Sequence, residues 1–331
     1  MKSQTVAKLS LLGFAFLSAG RDLSAAFLFA RSDWKIEPVA FTWLLCVASI
    51  FTFYAIACIR TKSFYLFHDF KECTPRTRSR LLLLNVMTLV AYLTTFLAIQ
   101  KVDAYINAII DYGASPVVTA ALAVLMRAER LSGRAIGGMF MSVCGIGVLT
   151  LWLTAPGPNH PTSELLMGVG YAFISCVAAS LNNVWNKEVV DAGLRRERVL
   201  LLRLPLAVAG LGAWVVLGPY IWGGASSTHL ASEHMWQVIT VLAIGAVGMA
   251  GPLLLIVFAL ETLEVKNLAF SMFLVPVFTY AGMATWKGVQ LGPLVAGIVV
   301  VLGVLMAESV AGKNGFSRSD EESELDHGAA N

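Results

Sequence analysis

The sequence predicts an all-α integral membrane protein: ten transmembrane helices arranged as two inverted five-helix repeats. Three observations predict it: a shortage of charge, ten apolar stretches of spanning length, and an internal similarity at an offset of 160 residues. Of 331 residues, 57% are hydrophobic and 14% are charged, against about 25% charged in a soluble domain. Too little charge remains to cover a water-facing surface. That excludes a soluble enzyme, a nucleic-acid module and a disordered scaffold together. A net charge of +3 is too small to imply a polyanionic partner. Cys46, Cys58, Cys73, Cys144 and Cys176 are odd in number and show no C-x-x-C spacing. Three or four of them sit in apolar runs, which reads as small buried hydrophobes rather than a disulfide framework.

A helix needs about 20 mostly apolar residues to cross ~30 Å of hydrocarbon. The first such stretch, 9–29, follows Lys2 and Lys8 and passes Ser18-Ala19-Gly20, which imitates a secretory signal peptide. Its apolar pattern resumes through Leu23–Ala30, so it is long enough to cross and is read as a retained span. The others run over 38–59, 81–100, 104–126, 134–153, 165–187, 200–222, 236–260, 267–286 and 291–310. Connections are short except 61–80, which holds Lys62, Lys71, Arg76, Arg78 and Arg80. Residues 313–331 form an acidic tail with Asp320, Glu321, Glu322, Glu324 and Asp326 among Ser and Gly, and are expected to be disordered.

Basic residues orient the spans. With a cytoplasmic N-terminus, 19 of the 24 Lys and Arg residues fall on the cytoplasmic side, among them Lys187 through Arg203. Arg31, Lys35, Lys101 and Lys287 fall opposite, and Arg21 lies inside span 1. The positive-inside rule then puts both termini in the cytoplasm, in a plasma or bacterial inner membrane.

The repeat appears where Ser115-Pro116-Val117-Val118-Thr119 matches Val275-Pro276-Val277-Phe278-Thr279, with Leu131 matching Leu291 and Gly137 matching Gly297. Span 4 thus corresponds to span 9, and span 5 to span 10. Five crossings are odd in number, so the second copy, 154–312, must be inserted upside down relative to the first, 1–153. Inverted repeats of this kind place a solute site near the midplane between the halves. Pro116 and Pro276 sit near the centres of their spans, where proline removes a helix hydrogen bond. They read as paired hinges, or as packing bends.

These segments resemble the drug/metabolite transporter superfamily, specifically its EamA-like branch. The residues that carry the resemblance are Ser115–Thr119, the turn Ala128-Glu129-Arg130-Leu131, and the Gly-rich helix from Gly137-Gly138 through Gly145-x-Gly147. The second copy keeps Pro276–Thr279 but reads Gly288-Val289-Gln290-Leu291 at the turn, without the acidic residue. The resemblance implies a ten-helix bundle whose central cavity opens alternately to each side. It further implies a secondary transporter of small polar or amphipathic metabolites.

Charged side chains at membrane depth are expensive and mark function by default. Arg21 and Asp22 lie about twelve residues into span 1, ~18 Å from the cytoplasmic edge; Asp111 lies ~20 Å from it on the same scale. Arg21 and Asp111 are therefore expected to meet at one level, while Asp22 points about 100° away from Arg21 along the helix. This group is read as a substrate or proton site, or as a static ion pair between spans 1 and 4. Asn107 and Tyr112 accompany it on span 4. Asn182, Asn183 and Asn186 on span 6 line a gate or vestibule, or bond neighbouring helices. Asn85 and Gln100 read as single amides joining helices. Tyr280 on span 9 is a further candidate, an interface anchor otherwise, and Phe273 faces the cavity only if span 9 copies span 4. Span 8 carries Gly245, Gly248, Gly251 and Pro252, which permit close helix approach.

No catalytic constellation is visible. His68, His160, His229, His234 and His327 fall in loops or the tail, and there is no H-E-x-x-H motif, phosphate-binding Gly-rich loop or nucleophile elbow. No enzyme activity, metal or cofactor is expected, and transport must be driven by a gradient or by exchange. The expected partners are a small-molecule solute and the lipid bilayer, with room for a homodimer and none for nucleic acid. The alternative reading is a nucleotide-sugar or organic-phosphate antiporter of an organelle membrane. Against it, spans 8–10 carry no Lys or Arg at midplane depth.

Overall fold

The computed structural model describes residues 2–34, 36–61, 73–125, 133–154, 162–194, 196–222, 235–260, 272, 274–289 and 291–303. Over these the secondary structure is helical throughout, as the apolar runs require. The helices are α1 (Lys2–Phe29), α2 (Pro38–Thr61), α3 (Pro75–Lys101), α4 (Ala104–Leu125), α5 (Gly133–Thr154) and α6 (Thr162–Asp191). There follow α7 (Arg196–Leu202), α8 (Pro205–Trp222), α9 (Met235–Ile244), a π turn (Gly245–Met249), α10 (Ala250–Leu260), α11 (Leu274–Lys287) and α12 (Leu291–Gly303). Among the described residues, six helices are long and apolar enough to cross a bilayer: Thr5–Phe29, Pro38–Ile59, Pro75–Lys101, Ser163–Asp191, Arg198–Leu217 and Met235–Ala259. The turn at Ala128–Leu131, Phe273, the end of span 10 beyond residue 303, the five His and the acidic tail lie outside the described residues.

Polarity is inverted relative to a soluble domain. Phe16, Phe51, Ile59, Phe140 and Leu291 are exposed, whereas Arg21, Asp22, Asp111 and Arg203 are buried. An outer surface this apolar is stable against lipid and not against water. The chain is a multi-pass membrane protein.

Two of the expected spans are built differently from plain helices. Span 7 is interrupted between Leu202 and Pro205, because Pro205 has no N–H to continue the ladder. The gap is filled from α3. Asn85 donates its amide to the Leu202 carbonyl and accepts the Leu206 N–H at 3.1 Å. Those are the two groups that an unbroken helix pairs with each other. Asn85 is thus more than a contact between helices; it completes the neighbouring helix. Span 8 is interrupted by the π turn over its glycine run, where Gly245 packs on Leu45 and Ala48 of α2 and Gly248 on Arg21 of α1.

α3 begins inside what reads in sequence as a loop. Thr74 caps it, accepting the Thr77 N–H at 3.2 Å, and Pro75 occupies the first turn. Arg76, Arg78 and Arg80 therefore stand on a helix. α3 pairs antiparallel with α6 along its whole length. Arg80 meets Glu188 at 2.7 Å at one end, and Lys101 meets Glu164 at 3.4 Å at the other. Lys187 pairs with Asp191 at 2.8 Å, one turn on along α6. α4 also packs on α6, α1 packs on α10 and α11, α2 packs on α8 and the π turn, and α4 packs on α11.

Candidate functional site

The midpoint of the α3–α6 pair fixes where the site lies. Ser175 stands eleven residues from Glu164 and thirteen from Glu188, which is ~16 Å and ~20 Å along the helix. Around this level lies a cavity with about 70 Å³ open to water-sized molecules, lined from α1, α3, α4, α6, the α7–α8 junction and α10. That is room for several waters. Its lining includes Ser18, Arg21, Tyr92, Thr95, Asp111, Tyr112 and Ser175, then Asn182, Asn183, Asn186 and Arg203 towards the C-terminal end of α6.

Arg21 and Asp22 form a closed pair. Asp22 Oδ1 accepts Arg21 Nε at 2.8 Å and Nη2 at 2.7 Å, and Nη2 also donates to the Tyr112 hydroxyl at 3.0 Å. The guanidinium lies 5.2 Å from the centre of the Tyr92 ring and 5.7 Å from that of Phe96, both favourable for a desolvated cation. Adjacent side chains on a helix diverge at the backbone, yet the long Arg21 chain folds back to its neighbour. Arg21 and Asp111 line one cavity, as their levels in the sequence suggest, but the guanidinium bonds Asp22 and Tyr112 rather than Asp111. Gly248 makes it fit: a Cβ there would stand 3.0 Å from Arg21 Cβ.

Asp111 is held by hydroxyls. Its Oδ2 accepts Ser175 Oγ at 2.8 Å and Thr95 Oγ1 at 3.4 Å, and the two hydroxyls lie 2.7 Å apart. Each hydroxyl also has the Ala91 carbonyl to donate to, at 3.1 Å from Ser175 and 2.8 Å from Thr95. Asp111 Oδ1 is buried without a partner, as is Asp22 Oδ2. Both hydroxyls therefore keep an acceptor, the Ala91 carbonyl, if they release the carboxylate.

Of the remaining expected residues, Asn182, Asn183 and Asn186 do line the cavity. Asn182, oriented by its partners, donates to the Leu84 carbonyl and accepts the Thr88 N–H, each at 3.3 Å. Asn183 donates to Met272 Sδ at 3.7 Å, and Asn186 Oδ1 has no partner. Asn107 is fully buried outside the cavity lining, with neither amide atom bonded. Tyr280 also lies elsewhere. Its ring packs 4.5 Å from that of Tyr105 beside Asp103 and Lys287, in a cleft of about 10 Å³. Pro276 is buried within α11, and Pro116 falls inside an uninterrupted α4.

Sequence reasoning missed Ser175, Thr95 and above all Arg203. Grouped with cytoplasmic charges, Arg203 is instead 3% exposed and faces the cavity. A signal was present: between Arg198 and Glu233 it is the sole Lys, Arg, Asp or Glu, and it stands two residues before a proline. Among the described residues no cluster of His, Cys, Asp and Glu is arranged to hold a metal.

Comparison with known proteins agrees with this architecture. A crystal structure superposes on 92% of the chain and 97% of its own length, with a TM-score of 0.60. At 18% identity that likeness shows a common fold alone. No curated protein matches the chain. The model of the EamA-like transporter family matches residues 6–151, which contain Arg21, Asp22, Thr95, Asp111 and Tyr112. Over those residues the chain is similar to the EamA-like transporter family.

Proposed function

We propose that the chain is a secondary transporter, an exporter or exchanger that moves small polar or amphipathic metabolites by alternating access, with Asp111 carrying a coupling proton. The observation that carries this reading is the mid-depth cavity. A cavity lined by buried charged and polar side chains within an apolar bundle is costly to build and is of use in moving solutes. Asp111 fits the proton role because Ser175 and Thr95 have the Ala91 carbonyl to turn to when the carboxyl is protonated.

The packing supports ten crossings in two inverted repeats, 1–153 and 154–312. Under the exchange of span 1 with 6, 2 with 7, 3 with 8 and 4 with 9, the most extensive contacts have counterparts. α3 on α6 maps to α10 on α1, and α4 on α6 maps to α11 on α1. α2 on α8 and α4 on α11 map onto themselves. Pro116 and Pro276 then occupy equivalent places as hinges. Charge supports cytoplasmic termini in a plasma or bacterial inner membrane. Opposite the cytoplasmic side, Arg31, Lys101 and Lys287 are each neutralised by an acid, namely Asp33, Glu164 and Asp103.

A second reading, a nucleotide-sugar or organic-phosphate antiporter of an organelle membrane, gains from one observation. Arg203 supplies the buried cation that spans 8–10 lack. Uptake into proteoliposomes across a solute panel, with and without a pH gradient, tests both readings. Gradient-driven uptake is expected of a small metabolite. Counterflow confined to nucleotide sugars or organic phosphates would install the second reading instead.

A further inference from the structure

The cavity contains two arginines, and they are not equivalent. Arg21 is neutralised by Asp22 at 2.7 Å. Arg203 meets no carboxylate among the described residues. Its Nε and Nη2 donate to Thr88 Oγ1 at 3.3 and 3.1 Å, and its Nη1 is buried with no partner. One edge of the guanidinium is thus fixed by a neutral hydroxyl, while the other, formed by Nη1 and the free side of Nη2, remains to be satisfied. A buried cation without a counter-ion costs far more than a paired one. The protein also invests in placing it. The break before Pro205 sets Arg203 between two helices, and Asn85 holds that break in register from α3.

Resting on the transporter reading above, we infer that Arg203 is the anchor for an oxyanion of the solute, a carboxylate or phosphate seated on its Nη1–Nη2 edge. Guanidinium is suited to this task, since its planar fork matches the two oxygens of such groups. Thr88 orients the fork by occupying the opposite edge. Asn186 lines the same cavity with an unpartnered Oδ1, which accepts a donor carried by the rest of the solute. The limited space admits the anionic head of a small molecule before the bundle opens. The Arg21–Asp22 pair is electrically closed and takes no part in anion binding.

The full-length protein in detergent decides the matter through thermal unfolding with potassium succinate or inorganic phosphate. Succinamide and potassium chloride at matched concentration and ionic strength are the controls. A saturable rise in Tm with an oxyanion, absent with both controls, is expected; the more effective of succinate and phosphate identifies which oxyanion is preferred. Arg203→Gln should weaken the apparent affinity roughly 10- to 100-fold, the size expected for a charge-assisted contact. Arg203→Lys should retain part of it, and Thr88→Val should weaken it while leaving the charge in place. The wild-type comparison stands even if Arg203→Gln fails to fold. Equal response to succinate and succinamide, or an undiminished oxyanion response in Arg203→Gln, would overturn the inference. Proteoliposome uptake of uncharged solutes with no oxyanion response would overturn it too while leaving the transporter reading intact. An oxyanion response without uptake of any solute would support the site and remove the transporter reading.

Discussion

The side-chain carbonyl of Asn85 accepts the backbone N–H of Leu206 at 3.1 Å, across the interface between α3 and the broken span 7. With the bond from its amide to the Leu202 carbonyl, it satisfies two backbone groups that have no water to turn to. Each such group left unmet costs about 1–3 kcal/mol. Asn85→Leu should therefore lower Tm in detergent by several degrees, since ~1 kcal/mol moves Tm by ~2–4 °C in proteins of a few hundred residues. An unchanged Tm would mean that the junction is held by packing alone. Because the junction carries Arg203, the variant should also lose transport before it loses the fold.

The hydroxyl of Ser175 makes the shortest contact to Asp111, at 2.8 Å. Ser175→Ala removes it and leaves Thr95 as the side-chain donor to Asp111 among the described residues, a change worth ~1 kcal/mol. Folding should survive, with a modest shift in the pH dependence of transport. Asp111→Asn should abolish stimulation by a pH gradient while solute exchange across a pH-neutral membrane continues. Both follow from uptake measured at a series of internal and external pH values. Unaltered gradient stimulation in Asp111→Asn would remove the proton role.

The sequence made the spans legible because burial in lipid demands long apolar runs, and a run is read without knowing which face points where. It made Arg21, Asp22 and Asp111 legible for the same reason, as exceptions to that demand. What it concealed were the partners. Helical spacing places Arg21 level with Asp111, but a side chain with several rotatable bonds reaches its own neighbour as easily as another helix. Ser175 and Thr95 look unremarkable in sequence, because Ser and Thr in a membrane helix usually bond their own backbone. Arg203 was hidden by its nearness to charged residues in a loop, and only the break before Pro205 turns it inward.

Gly248 bears on function through Arg21. A Cβ at this position would stand 3.0 Å from Arg21 Cβ and 3.5 Å from its Cα, atoms that cannot rotate away. Gly248→Val adds still more bulk there, and overpacking of this kind costs about 1–3 kcal/mol. The variant should displace the Arg21–Asp22 pair and cut transport by roughly 10-fold or more. Gly147→Ala is the control, since a Cβ there meets nothing within 4 Å. It should leave transport unchanged and gain up to ~1 kcal/mol of helix stability. Equal behaviour of the two variants in uptake and thermal unfolding would show that the Gly248 contact has no functional weight.

Asp103 and Lys287 join the start of α4 to the end of α11, on the side away from the cytoplasm in the proposed topology. Nearby, Tyr105 packs against Tyr280 and donates to the Pro293 carbonyl at 2.8 Å, tying α12 into the same end. Both charged side chains are about one-third exposed, so the ion pair contributes at most ~1 kcal/mol to folding. Asp103→Asn and Lys287→Met should accordingly unfold at nearly the wild-type temperature. A shift of ~1 kcal/mol is nonetheless enough to move a conformational equilibrium about fivefold. If this end separates during the transport cycle, each variant should favour the outward-open form and change the ratio of efflux to uptake. The decisive form of the test replaces both residues with cysteine, with the exposed Cys144 changed to Ser, and joins them with a short thiol cross-linker. Transport should stop on cross-linking and return on cleavage of the linker. Full activity in the cross-linked protein would show that α4 and α11 stay together here throughout the cycle, and the moving gate would have to lie elsewhere.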